Sequence, residues 1–316
     1  MTTPDIEDIF TKPCANRHAT MFLASRRTDP CHQMPKIVDF LLTRKTSYLN
    51  PMTSQPVPVI NVDAHGFGLA SKDFSTFLSA YRTHPELARE YCFHFTPTMN
   101  GTMRDLESGV ASSWIERLEH LRQICTIAEK QCLGHVNYSV SVHYGDPFIR
   151  LRKIGDTNTI DTYHLDELKQ LCDILTEFGL NTLHFGFCDA SGGWSHVRKR
   201  LTKNGYELVD MNTEEKFAYL QPILTFLDTN YPAIRLATCA NIELVPLHRR
   251  IHQGTCFNGN LFNRVLRANG FTSIQTKQRG VKNRPCTCTH FIDILDKPRK
   301  ATRCAHNCTY CFSNPI

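Results

Sequence analysis

Asp166-Glu-Leu-Lys-Gln-Leu-Cys-Asp-Ile-Leu-Thr-Glu-Phe178, then Gly179, then Thr182-Leu-His-Phe-Gly-Phe187 running into Cys188-Asp-Ala-Ser-Gly-Gly-Trp194, is the stretch whose reading decides the fold. It reads as a helix stopped by glycine, a short apolar strand, and a polar loop rich in small residues. Upstream the same rhythm recurs. Thr20–Ser25 is an apolar run that ends in Arg26-Arg27-Thr28-Asp29-Pro30, and a helix is expected from Gln33 to Thr46. Strands are expected over Val57–Val62, Tyr91–Thr96 and Val136–Val142, and helices over Lys72–Thr83 and Ser113–Glu129. Downstream come a helix over Glu214–Leu227, a strand over Ala233–Thr238, a helix over Gly259–Ala268 and a last apolar run, Phe291–Leu295.

Six or seven strand, loop and helix units in alternation argue for an α/β fold with a parallel sheet and crossover helices. That many units suits a full or partial β/α barrel of the TIM type better than an open sheet. Residues 1–18 read as a loose arm and 19–316 as a single barrel domain ending in a cysteine-rich segment, 286–316. Polar loops follow the strands at Arg26–Asp29, Asp63–His65, Thr96–Thr98, His143–Asp146, Asp189–Gly193 and Cys239–Asn241. The carboxyl ends of parallel strands are where such folds build sites.

No run approaches the ~20 apolar residues of a membrane span. The acidic N-terminus lacks the pattern of a signal peptide, so a cytoplasmic protein with reduced thiols is expected. Fourteen cysteines then need another explanation. Cys92, Cys125, Cys132 and Cys172 lie among apolar residues and suit the core. Five others crowd into Cys286-Thr-Cys288 and Cys304-Ala-His-Asn-Cys308-Thr-Tyr-Cys311. Net charge is 36 − 30 = +6, with basic runs before both clusters (Lys277, Arg279, Lys282, Arg284; Lys297, Arg299, Lys300, Arg303). Those runs suit a solvated face, an anionic substrate or nucleic acid, or the charge balance of thiolates.

Three thiolates at C-x3-C-x2-C spacing can hold three irons of a [4Fe-4S] cubane and leave the fourth open. Zinc is the competing occupant, with His306 as an awkward fourth ligand. The spacing, with Tyr310 before the third cysteine, resembles the signature of the radical S-adenosylmethionine (SAM) superfamily. That resemblance implies an open iron that chelates SAM. It also implies one-electron cleavage of SAM to methionine and a 5′-deoxyadenosyl radical, and hydrogen abstraction from the substrate. In the superfamily the motif follows the first barrel strand, so its place at the end of this chain implies a circularly permuted barrel.

A second resemblance spans nearly the whole chain. Ser25-Arg26-Arg27-Thr28-Asp29, Thr238-Cys239-Ala240, Gly254-Thr-Cys256, Cys286-Thr-Cys288, Asp293-Ile294 and the terminal triplet resemble, in order, the motifs of the uncharacterised DUF1848 family. A Trp-Arg-Tyr-Asp-Pro segment of that family is met here only by Val142-His-Tyr-Gly-Asp-Pro147. The matched cysteines outside the triplet are Cys239, Cys256, Cys286 and Cys288, one ligand set for an auxiliary cluster or a zinc ion. Cys239 and Cys256 also suit buried thiols, and Cys286 or Cys288 could instead close the triplet's cluster.

Arg26 or Arg27 could hold the SAM carboxylate or an anionic substrate, with Asp29 orienting it, or could simply bridge to Asp29. Ser191, Gly192 and Gly193 could let backbone approach SAM, or form a plain turn. His65, His94, His143 and His184 fall at or within strands, where an acid or base and a satisfied core histidine are both in play. The expected function is a radical-SAM-type enzyme acting on an anionic or nucleotide-like substrate, fed by a small electron-donor protein or other reductant. The alternative is a non-catalytic iron–sulfur or zinc-stabilised nucleic-acid-binding protein.

Overall fold

The computed structural model describes residues 21–24, 34–43, 59–62, 72–84, 87, 92–99, 114–132, 138–145, 148–188, 195–255, 259–268 and 292–293. The chain passes from β1 (Met21–Ala24) through α1 (Met34–Thr43), β2 (Val59–Val62), α2 (Lys72–Thr83) and β3 (Cys92–Phe95) to α3 (Trp114–Cys132). β4 (Tyr138–Val140) and β5 (Val142–His143) form one run broken only at Ser141. An excursion through β6 (Arg150–Lys153) and β7 (Thr159–Asp161) precedes α4 (Leu165–Glu177) and β8 (Thr182–His184). Then come α5 (Ser195–Lys203), β9 (Tyr206–Leu208), α6 (Thr213–Asn230), β10 (Arg235–Thr238) and a 3-10 turn (Ile242–Leu247). β11 (Ile251–Gln253), α7 (Gly259–Ala268) and β12 (Ile292–Asp293) are the last described elements.

Two parallel sheets result, in the orders β12-β1-β2-β3-β4 and β11-β10-β8-β5. They meet where β3 runs on: the Ser141 amide donates to the Phe95 carbonyl and the His143 amide to that of Pro97. Counting β4 and β5 as one, the strands lie side by side in chain order, with β12 returning to pair with β1. The fold is therefore mixed α/β with parallel strands and crossover helices, as the alternation implies. Among the described residues no ladder joins β11 to β12, so two linked arcs are seen rather than a closed ring.

Alternation along each strand separates two faces. Phe93 and Phe95 pack on Phe74, Phe77 and Tyr81 of α2, with ring centroids 5.5–5.7 Å apart. Such pairs contribute about 0.5–1.5 kcal/mol each beyond area burial. Leu183, Leu236 and Ile251 join the same apolar core. His94, His184, Ala237 and His252 alternate with these residues and so face the opposite, inner side. The deciding stretch folds as its composition dictates. Leu168, Leu171, Cys172, Ile174 and Leu175 bury one stripe of α4. Gly179, at φ 67°, ends the helix. Its amide and that of Leu180 donate to Thr176 and Leu175 in a Schellman turn. Cys125 and Cys172 are core thiols, their pKa values pushed up to about 12 chiefly by burial; the side chains of Cys92 and Cys132 lie outside the described residues.

The excursion departs from the sequence reading, which carries no antiparallel strands. β7, β6 and β9 form a small antiparallel sheet with α5 on it, around Ile149, Leu151, Val197, Leu201 and Leu208. Arg150 opposes Asp161 and Arg152 opposes Glu207, each a cross-strand ion pair. No described helix is long and apolar enough to cross a membrane.

Candidate functional site

Strand register sets a row of polar positions across the inner face. Asn61 of β2 pairs with His94 of β3, and His94 with Ser139 of β4. In the second sheet His143, His184, Ala237 and His252 stand side by side on β5, β8, β10 and β11. His94, His143 and His184 are buried, and the His143 and His184 rings stack 5.0 Å apart at 21°. A buried row of imidazoles on rigid strands can carry protons or donate hydrogen bonds to a ligand.

A cavity of about 530 Å³ runs along this face. At the amino-terminal end of the strands it is lined by Asn181, Thr182 and Arg235. His184 and His252 form its middle, and Gly254 and Thr255 line its carboxyl end. Arg264 of α7 also lines it. Its volume is that of a small-molecule site. Gly254 makes the wall close-fitting, since a Cβ there would stand 2.7 Å from the Ala237 Cβ and 3.3 Å from the His184 ring. Gly254→Ala is therefore expected to lower stability by about 1–3 kcal/mol through overpacking. Chemical denaturation reads this; an unchanged midpoint would show that β11 shifts to make room.

Beyond β10 the chain makes a firmly held turn. The Thr238 hydroxyl accepts hydrogen bonds from the Ala240 and Asn241 amides. The Asn241 side-chain oxygen accepts from the Phe187 amide, which ties the end of β10 to the run leaving β8. Cys239 is half-buried in this turn. The Gly254 amide donates to the Thr238 carbonyl, so the approach to Cys256 starts beside Cys239. At the other edge Leu23 of β1 pairs with Asp293 of β12. The chain thus leaves toward Arg26–Asp29 and toward the terminal triplet from neighbouring strands at the same end.

The other expected site residues lie outside the described residues: Arg26, Arg27, Asp29, Ser191, Gly192, Gly193, Cys256, Cys286, Cys288, Cys304, Cys308 and Cys311, and with them His65. Among the described residues no group of three or more His, Cys, Asp or Glu is arranged to hold a metal ion. The sequence reading singled out His94, His143 and His184 but missed His252, Arg235 and Arg264. Their shared lining follows from the pairing of β8, β10 and β11, which no local pattern announces.

The family model described as "Domain of unknown function (DUF1848)" matches residues 21–313. The chain belongs to the DUF1848 family. A search of curated proteins finds no match. Four of the DUF1848 motifs noted above fall, along the chain, at or after the ends of described strands. Ser25–Asp29 follows β1, Thr238–Ala240 overlaps the end of β10, Gly254–Cys256 follows β11, and the triplet comes after β12. Each of these four motifs thus overlaps or follows, in the sequence, a described parallel strand.

Proposed function

We propose that this DUF1848 chain is an iron–sulfur enzyme of radical-SAM type, built on a β/α barrel that closes between β11 and β12. The carrying observation is the parallel pairing of β12 with β1. Where strands follow one another around a barrel, the first is fixed only by where the chain is cut. Moving β12 and the triplet to the front would give the order of a barrel whose cysteine motif follows its first strand. A circular permutation then explains why Cys304, Cys308 and Cys311 stand last.

The donor set fits the group. Thiolates are soft ligands suited to iron–sulfur clusters, and three of them leave one iron available. When bound, such a cluster supplies one-electron reductive cleavage of SAM. The protein's own part is to hold and shield. Arg26 or Arg27 would pair with the SAM carboxylate, with Asp29 fixing the guanidinium. Ser191, Gly192 and Gly193 would give SAM close backbone contact. Cys239, Cys256, Cys286 and Cys288 would hold an auxiliary cluster. The Thr238–Asn241 turn and the Gly254–Thr238 hydrogen bond support the first two of these by bringing their segments together. Electrons would come from a small donor protein or another reductant in the cytoplasm.

Iron, sulfide and zinc contents of anaerobically purified protein, with 5′-deoxyadenosine measured after reduction in the presence of SAM, test this reading. Iron and sulfide with 5′-deoxyadenosine formation are expected. Stoichiometric zinc without iron would instead favour a metal-stabilised nucleic-acid-binding protein, whose binding should weaken steeply with salt.

A further inference from the structure

The cavity along β5, β8, β10 and β11 offers hydrogen-bond donors and positive charge and, among the described residues that line it, no carboxylate. Arg235 and Arg264 contribute guanidinium groups, which only donate. His184 and His252 contribute imidazoles, and Ser141 and Thr182 contribute hydroxyls that can donate as well as accept. Elsewhere in the described residues arginines meet acids. Arg150, Arg152, Arg198 and Arg250 pair with Asp161, Glu207, Asp210 and Asp228. The ion pairs of the described residues include neither Arg235 nor Arg264. Two cations that line one cavity, with no carboxylate among its described lining residues, are complementary to an anion.

We propose that this cavity binds a small oxyanion, the phosphate or carboxylate of a metabolite-sized molecule, through Arg235 and Arg264 with His184 and His252 as hydrogen-bonding partners. Register supports a built site. Thr182 and Arg235 are paired across β8 and β10, and Ala237 and His252 across β10 and β11. The Arg235 amide is fixed by the Asn181 carbonyl at 2.9 Å, so that guanidinium springs from an ordered strand end. The missing Cβ of Gly254 lets the end of β11 lie close against the Cε1 and Nδ1 edge of the His184 ring, where a Cβ would stand 3.3 Å away. Calling the ligand a substrate rests on the radical-SAM reading; the binding site itself does not.

The test is calorimetric titration of the full chain with inorganic phosphate and, separately, with succinate, at constant ionic strength against chloride. Neither SAM nor reductant is added. At least one anion should bind, and Arg235→Gln and Arg264→Gln should each weaken it about 10-fold or more, the scale of a lost charge-assisted hydrogen bond. Both residues are exposed, so both variants should fold. Lys199→Gln, an exposed cation on α5 outside the cavity, should leave affinity unchanged. Tighter phosphate binding would point to a phosphate ester, and tighter succinate binding to a carboxylic acid. No binding of either anion overturns the proposal, as does an equal loss in Lys199→Gln. If the anion binds but no 5′-deoxyadenosine ever forms, the radical-SAM reading falls and this site stands. The reverse outcome removes only the site.

Discussion

Cys308→Ala is expected to abolish 5′-deoxyadenosine formation and to lower the iron held after anaerobic reconstitution. Cys308 is the middle ligand of the triplet, separated by three residues from Cys304 and by two from Cys311. Removing it leaves two thiolates for a cubane that needs three from this loop. Changes behind the ligands of metal sites typically cost 10–100-fold, so loss of a ligand itself should cost ~100-fold or more in activity. Cys125→Ala gives the contrast. Its thiol lies on α3, packed in the apolar core, with a pKa pushed up to about 12 chiefly by burial. That variant should keep its iron and its SAM cleavage while losing some packing stability. If Cys308→Ala retains both iron and activity, the triplet is not the catalytic ligand set. If iron stays and activity goes, Cys286 or Cys288 has taken the vacant place and closed the cluster.

What sequence alone conveyed depended on how local each signal was. α2 was readable end to end because Phe74, Phe77, Leu78 and Tyr81 repeat at helical spacing and all four are buried. The stop at Gly179 was readable because a left-handed residue after a helix is a glycine signature. β11 was not. Ile251-His-Gln253 has one buried apolar residue, and it is a strand only because Leu236, Ala237 and Thr238 pair with it. The β6–β7–β9 sheet escaped for the same reason. Arg150-Leu-Arg-Lys153 looks like solvated chain until Asp161 and Glu207 stand opposite its arginines. The candidate site divides likewise. A thiolate triplet is a short-range motif and announces itself. A cavity wall made of residues from β8, β10, β11 and α7 exists only after pairing. The family assignment spans both, because its model runs from β1 through the terminal triplet.

Arg250→Ala is expected to destabilise the fold by about 2–4 kcal/mol, through a lost charge-assisted hydrogen bond and a buried carbonyl left without its donor. Arg250 immediately precedes β11, and its side chain is 8% exposed. Its guanidinium donates to Asp228 at the end of α6 and to the carbonyls of Tyr231, Pro232 and Ile234. It therefore fixes the whole connection from α6 to β10, and with it the start of the strand that carries Arg235 and Ala237. Alanine would leave the Asp228 carboxylate without this partner and the buried Ile234 carbonyl without its donor. The interaction also sets a pH dependence. The hydrogen bond from Arg250 holds the Asp228 carboxyl below its usual value of 3.8, with Arg250 and Arg249 charges adding to it. A carboxylate whose folded pKa is depressed contributes stability above its unfolded pKa and loses it as pH falls through the folded value. Wild type should thus lose stability in the acid range faster than Arg250→Ala, and the gap between them should narrow below about pH 4. Denaturant titrations at neutral and acid pH measure both curves. A constant gap across that range would mean that Arg250 acts through the three carbonyls alone and that the Asp228 contact contributes nothing to stability.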